Sequence, residues 1–419
     1  MGNNIATYTI CIDVEKVADI KDIEDKLKRE VKKAYKKMMV EILSKKEQKI
    51  FSRGKYIKKK KISRYLYSQF GLIKFDRYKA VDRNGKWLYP LDIAVGIEKN
   101  SSFSPSVEKR AVYLASQYPY RQACAILSYE IEEDLDHRLI WRLVQKKGKK
   151  LRQKQKEEIE SLYTHAKDVE TDNKKREIIV IEADGTGISS KEGKGKWMEA
   201  KLGIIYTGKR LESNTSKTQR YILDNKTVYA DISDIDSFGK AFSYIAEKNY
   251  SYSKAENILF ISDGDRGIKN IRAGYLPGSI HQLDHYHLKK RLRQAFSPYP
   301  DILDRMLNLI NSRDEQKLPY YIRLAKINGV VDGDTASELI SYIEDNLSDI
   351  WAVDALRGKV KKEVLVTGSG AVEKNIDIVL ARRFKGRGMS WSKEGARNLM
   401  PFRLMVENGN FDTYFEAVA

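Results

Sequence analysis

Two stretches of the chain, Ile178-Ile179-Val180-Ile181-Glu182-Ala183 and Ile258-Leu259-Phe260-Ile261-Ser262, are apolar almost throughout and do not alternate, and each runs directly into Asp-Gly, at Asp184 and Asp263. A short unbroken apolar run rich in β-branched residues and closed by a turn pair reads as a buried strand. Residues 197–206 and 227–233 read as two further strands, a helix follows over about 238–247, and a second helix near 267–273 leads to a fifth strand at 279–284. Three strands, helix, strand, helix, strand predicts an α/β fold whose mixed sheet has its first and fourth strands as neighbours. A single Asp-Gly is usually a turn pair. Two of them closing adjacent buried strands bring like charges side by side, an arrangement that calls for a cation, and oxygen-only ligands favour Mg2+ or Mn2+ over zinc.

The chain as a whole is strongly basic, with 77 Lys and Arg against 58 Asp and Glu and a net charge of +19. An excess of this size points to an anionic polymer, and so to nucleic acid. Seven of the twelve residues in 53–64 are Lys or Arg, including Lys58, Lys59, Lys60 and Lys61, with Tyr56 among them. This run reads either as a solvated loop or as an arm that contacts phosphates. Seven of the eleven residues in 146–156 are also basic, including Lys146, Lys147, Lys149 and Lys150. They close a set of three helical patterns: one opened by Ser104-Pro105, a short one from Tyr120 to Leu127, and one capped by Asp136 that carries Ile140, Trp141, Leu143 and Val144. The set suggests a helix-turn-helix module, although any three-helix scaffold has the same pattern. Upstream, Ile20, Ile23, Leu27, Val31, Ala34 and Met38 share a stripe over about 13–48, one long amphipathic helix or a helical pair. Short strands are expected at 64–78 and 87–92 around the turn Asp82-Arg83-Asn84-Gly85. The expected organisation is a helical and basic region with short strands at 1–100, a helix-turn-helix-like DNA-binding domain with a basic helical linker at 101–176, and an α/β catalytic domain at 177–419.

Several classes are excluded. No apolar stretch approaches the ~18 residues of a helical membrane span. Only two cysteines occur, Cys11 and Cys124, so neither a disulfide framework nor a cysteine zinc cage is expected. No secretory signal is expected, and Ala6 stands where myristoylation needs Ser or Thr, so the expected location is the cytoplasm, in association with the nucleoid. Gly193-Lys194 and Gly195-Lys196 lack the spacing of a phosphate-binding Walker loop, and no His-Glu-x-x-His occurs. His281, Asp284, His285 and His287 crowd one segment, but strand and helix-start geometry would scatter them and cysteine partners for zinc are missing.

Ile261-Ser262-Asp263-Gly264-Asp265 followed by Leu283-Asp284-His285-Tyr286-His287-Leu288 resembles the second-Asp and Asp-x-x-His segments of Mutator-like bacterial transposases. Gly368-Ser369-Gly370-Ala371-Val372-Glu373-Lys374 with Arg387-Gly388-Met389-Ser390-Trp391-Ser392 is similar to the C-terminal signature of the ISLre group of insertion-sequence transposases. Gln69-Phe70-Gly71, Tyr89-Pro90-Leu91-Asp92 and Tyr120-Arg121-Gln122-Ala123 also fit, and the likeness covers most of the chain, least so over 1–48. The resemblance implies an RNase H-like mixed sheet of the DDE type with a helical insertion at about 285–360. Asp184, Asp263 and Glu373 are then the catalytic, metal-binding carboxylates, and Asp284 with His287 a supporting pair; Glu363 is the substitute should Glu373 fail. It further implies an Mg2+- or Mn2+-dependent transposase that cleaves phosphodiesters and transfers strands at the ends of an insertion sequence. The partners are double-stranded DNA, as terminal inverted repeats and target, and further copies of the chain. Arg382, Arg383, Lys385 and Arg387 are expected DNA contacts beside the site. Lys191, Lys194 and Lys196 either hold backbone or form a solvated loop, and Trp391 either stacks on an extruded base or packs in the core. Two other readings stay open: a structure-specific nuclease on the same fold, and a DNA-binding protein without catalysis, such as a domesticated element.

Overall fold

A computed structural model describes residues 8–11, 13–165, 169–193, 196–214, 219–386 and 388–418. The chain gathers into two compact units, one of Met1–Lys147 with Asn410–Ala419 and one of Gly148–Gly409.

In the first unit, the amphipathic stripe forms one helix, α1 (Ile20–Ser52), whose cap Asp19 accepts the Asp22 amide at 2.8 Å. Strands β1 (Ile57–Ser68) and β2 (Gly71–Val81) make an antiparallel hairpin, with β3 (Trp87–Leu88) added at the end of β2. Leu43 of α1 packs on Leu66, Ile73, Phe75, Leu91 and Ile97. The four consecutive lysines lie within β1, because β2 continues the hydrogen-bonded ladder as far as Val81 opposite Ile57. Lys58 finds aromatic support there, its ammonium sitting 4.9 Å from the Phe51 ring and 4.7 Å from that of Tyr78. The expected strand at 87–92 stops at Leu88, since Pro90 has no N–H to give a ladder and instead opens α2 (Pro90–Ala94). Asp92 of α2 is buried between Arg64 and Arg77, and the Arg77 guanidinium stacks 3.8 Å from the Tyr89 ring. Helices α3 (Pro105–Gln117) and α4 (Tyr120–Ile131) follow, and α5 (His137–His165) absorbs the basic tail into one continuous helix. Val107, Ala111, Leu114, Ala123, Leu127, Ile140 and Val144 are buried along these three helices.

The second unit is built on a five-stranded mixed sheet. Strands β4 (Ile178–Ser189), β5 (Trp197–Tyr206) and β8 (Thr227–Asp231) are antiparallel neighbours, while β9 (Asn257–Ser262) and β10 (Ile280–Leu283) extend β4 in parallel on its other side. The sheet order is β10-β9-β4-β5-β8, so the first and fourth strands of this sheet are adjacent. Between β5 and β8 lies an exposed hairpin that the sequence pattern does not announce, β6 (Gly208–Asn214) with β7 (Gln219–Asp224). Helix α6 (Ile235–Tyr250) joins β8 to β9 and α7 (Arg266–Tyr275) joins β9 to β10, the crossovers that parallel strands require. Ile179, Val180, Ile181, Leu202, Ile204, Leu259, Phe260 and Ile261 are fully buried, which explains why their strands do not alternate.

After β10 come four helices, α8 (His285–Phe296), α9 (Pro300–Asn311), α10 (Leu318–Ile327) and α11 (Gly333–Glu344). They share their own core of Leu288, Leu292, Phe296, Met306, Ile310, Ile322 and Leu339. The chain returns through 3-10 turns to α12 (Gly370–Asn375), a π-helical turn at Ile376–Ala381, α13 (Arg382–Phe384) and α14 (Lys393–Glu407). Helix α14 is tied to β8 by a bidentate pair between Arg397 and Asp231.

Candidate active site

In the parallel register of β4 and β9, Glu182 lies opposite Ile261, the pair two positions before Asp184 and Asp263, and the two aspartates are close enough for the charge of Asp263 to raise Asp184. Asp184 is half-buried within β4, and its Oδ1 accepts the Gly185 amide at 2.7 Å. Asp263 stands just beyond β9, where Gly264 turns the chain away at φ 82°, a conformation that favours glycine. The Asp265 amide donates to Asp263 Oδ1 at 2.9 Å, and the Tyr342 hydroxyl of α11 donates to the Asp263 carbonyl at 2.8 Å.

One strand further, Asp284 ends β10 and caps α8. Its Oδ1 accepts the Tyr286 amide at 2.8 Å and its Oδ2 accepts the Ser369 hydroxyl. It is completely buried with both oxygens engaged. His287, on the first turn of α8, holds Nε2 2.9 Å from Glu373 Oε1 and Nδ1 3.8 Å from Asp263 Oδ2. Glu373 rides on α12, which is latched to the sheet by Glu182: the Val372 amide donates to Glu182 Oε2 at 2.8 Å and the Tyr206 hydroxyl to its Oε1 at 2.9 Å. Among the described residues, ligand atoms of Asp284, His287 and Glu373 lie within 4.8 Å of one another, with Asp184 and Asp263 in electrostatic reach of the same point. A π-helical turn follows Glu373 within three residues, a distortion frequent at functional sites.

The electrostatics show negative charge in excess. Burial pushes the Asp184 carboxyl up to about 6, and the charges of Asp263 and Glu373 add to the rise against the Gly185 hydrogen bond and His287. The Asp263 carboxylate raises His287 to about 9, with Glu373 and Asp284 assisting against its burial. Asp263 itself stays below its ordinary value: burial opposes ionisation, but His287, the Asp265 amide and Arg291 outweigh it. At neutral pH the His287 imidazolium therefore places a positive charge among the carboxylates. Oxygen donors of this density fit a hard divalent cation.

Sequence reasoning missed Glu182. Burial pushes its carboxyl up to about 7, against the hydrogen bonds from Val372 and Tyr206. The available signal was one carboxylate inside an otherwise apolar strand. Glu363, the substitute for Glu373, is exposed in a 3-10 turn and shares no ion pair with the cluster among the described residues.

Two of the expected DNA contacts are corrected. Lys147 is 5% exposed, its ammonium bridging Glu98 at 3.0 Å and Glu108 at 2.7 Å. Arg383 is 1% exposed and stacks 4.9 Å from the Trp391 ring. Neither presents its charge to a polymer: the carboxylates of Glu98 and Glu108, far upstream in sequence, enclose Lys147, and Phe384 and Trp391 pack against Arg383. Trp391 itself packs on Phe384 and donates its indole N–H to the Phe384 carbonyl at 3.1 Å. Lys58, Lys59, Lys60, Lys149, Lys150, Lys191 and Lys196 are exposed; Lys61 pairs with Asp76, Lys146 with Glu98 and Arg382 with Asp377, all at the surface. Lys385 donates to Thr186, two residues past Asp184. Arg387 and Lys194 lie outside the described residues.

A protein-family model described as "Uncharacterised protein family (UPF0236)" matches residues 14–416. The "UPF0236 protein in vanSb 3'region" of Streptococcus gallolyticus is 23% identical over 359 residues, covering 84% of this chain and 74% of that protein. A relative in Caldanaerobacter subterraneus subsp. tengcongensis, whose name joins eleven designations from TTE0033 to TTE2212, is 24% identical, covering 94% of this chain and 78% of its own length. Among solved structures, a chain of the "Drosophila P element transposase strand transfer complex" is similar at 10% identity and a TM-score of 0.30, over 75% of this chain and 94% of that one. A superposition that loose does not establish a shared fold. The family match, by contrast, takes in both compact units and every residue of the carboxylate cluster: the chain belongs to the UPF0236 family.

Proposed function

We propose that the chain is a DNA transposase of the DDE type, related to the ISLre group, with an RNase H-like catalytic sheet and a helical insertion. The observation that carries this reading is the parallel register of β4 and β9, which pairs Glu182 with Ile261 two positions before Asp184 and Asp263, with the helix of Glu373 latched to β4 by Glu182. Asp184, Asp263 and Glu373 would hold Mg2+ or Mn2+. Two such ions stabilise both the attacking and the leaving oxygen of an in-line displacement at phosphorus. Asp284, with both oxygens committed to Tyr286 and Ser369, orders the start of α8 and so aims His287 at Glu373. The imidazolium supplies counter-charge while no metal is bound. Residues 1–100 and 101–176 are assigned to DNA binding and 177–419 to catalysis, with Lys58, Lys59, Lys60, Lys61, Lys149 and Lys150 holding phosphates and several copies of the chain assembling on the element ends. A relative that carries eleven designations within one organism fits a gene present in many copies, as a mobile element is.

The test is cleavage and joining in vitro, using DNA carrying the ends of the element that flanks the gene, with and without Mg2+. Wild-type protein should cut and join in Mg2+ only. Asp184→Asn, Asp263→Asn and Glu373→Gln should each abolish both steps while DNA binding persists. Cutting without joining identifies a nuclease instead, and full activity in any of the three variants removes that residue from the centre.

A further inference from the structure

We propose that Lys290 and Arg291 on α8 form a phosphate-binding step that holds a DNA strand against the carboxylate cluster. This rests on the reading of that cluster as a DNA-cleaving centre and adds a backbone contact beside the cluster itself. His287 turns one face of α8 toward the site, since its Nε2 reaches Glu373 at 2.9 Å. Residues three and four positions on along a helix lie on the same face, and these are Lys290 and Arg291. Both are exposed, whereas Leu288, Leu292 and Phe296 are buried in the core of the insertion.

Arg291 is also fixed in place. Its guanidinium lies 4.2 Å from the ring centre of Tyr342, and the hydroxyl of that tyrosine donates to the Asp263 carbonyl at 2.8 Å. Helix α11 of the insertion therefore carries a platform that sets an arginine beside a metal-site carboxylate. Among the described residues no ion pair engages Lys290 or Arg291, in contrast to Arg266, Arg313 and Arg323 of the same unit, which pair with Asp345, Asp354 and Glu344. Such a guanidinium on a rigid stacking surface suits bidentate contact with a phosphate, and a neighbouring ammonium adds a second point charge for the adjacent phosphate. The ligand class is the phosphodiester backbone of one DNA strand, held without regard to sequence.

The experiment measures binding of the full chain to a fluorescein-labelled DNA duplex by anisotropy in EDTA, across a salt series, for wild type, Lys290→Gln, Arg291→Gln and the double variant. The log–log salt dependence should become shallower by about 0.9 for each phosphate no longer neutralised, and so by about twice that in the double variant. Arg291→Lys should restore most of the slope. Thermal stabilisation by Mg2+ alone should be the same in all variants. An unchanged slope in the double variant, with wild type binding DNA, overturns the inference and leaves the reading of the site intact. Loss of the Mg2+ response in Arg291→Gln with an unchanged slope also overturns it, by reducing Arg291 to a prop for Asp263. Failure of wild-type protein both to bind and to cut DNA removes the reading of the site and the inference with it.

Discussion

Asp184→Asn should make the metal-free protein more stable at neutral and alkaline pH and leave it unchanged in acid. Folding raises the Asp184 carboxyl from its ordinary value of 3.8 to about 6, chiefly by burial and then by the charges of Asp263 and Glu373. The folded chain thus binds this proton more tightly than the unfolded chain. The associated stability is fully present below 3.8 and is lost as pH rises through about 6. Above that point the ionised carboxylate costs up to about 3 kcal/mol, taking 1.36 kcal/mol for each pH unit. Asparagine keeps the shape and the acceptor for the Gly185 amide but never acquires the charge. In EDTA at pH 8 the variant should therefore melt higher, by several degrees and up to about 10 °C, and at pH 4 it should match wild type. Mg2+ should reverse the ranking at pH 8, because it stabilises only the protein that binds it. Calorimetry at the two pH values, each with EDTA and with Mg2+, separates the four cases. A variant no more stable than wild type in EDTA at pH 8, or one equally stabilised at pH 4, would refute the argument.

His287 is raised from 6.5 to about 9, so its contribution is complete below 6.5 and lost as pH rises through 9; urea unfolding in EDTA should show wild-type stability falling by up to about 3 kcal/mol over that window, and His287→Gln should flatten the fall. Lys147→Met leaves Glu98 and Glu108 without their shared cation and should cost about 3–5 kcal/mol in unfolding experiments, with the salt dependence of DNA binding unchanged. Converting Lys58, Lys59, Lys60 and Lys61 together to Gln should do the opposite, weakening binding to every sequence alike and lowering the salt slope by up to about 0.9 per lysine, with little change in melting temperature.

The sheet was legible because its central strands are buried on both faces, and an unbroken apolar run announces that condition locally. The point where burial on both faces gives out was legible for the same reason, which is how Asp184 and Asp263 stood out, but β4 does not end at Asp184: it runs on to Ser189, paired with β5. Glu373 had no such signal: it is one glutamate in a six-residue helix, and only a resemblance singled it out. Glu182 was visible as a charge within an apolar run, yet its meaning depends on an amide 190 positions away. Distance also hid the fate of Lys147, since a basic residue looks the same in sequence whether a carboxylate or solvent will meet it. The hairpin of β6 and β7 escaped because its exposed residues follow no burial period.

The latch between Glu182 and Val372 has a consequence for the timing of synthesis. The chain leaves the ribosome from its N-terminus, at roughly 5–20 residues per second, so the amide that completes the bond emerges roughly 10–40 s after its acceptor. Through that interval the Glu182 carboxyl has the Tyr206 hydroxyl for one oxygen but no amide for the other, and Glu373 has yet to be made. A nascent chain can build most of the sheet and the helical insertion while its centre still lacks one wall. A product that terminates between Asp263 and Gly370 has two of the three acidic groups and lacks the third.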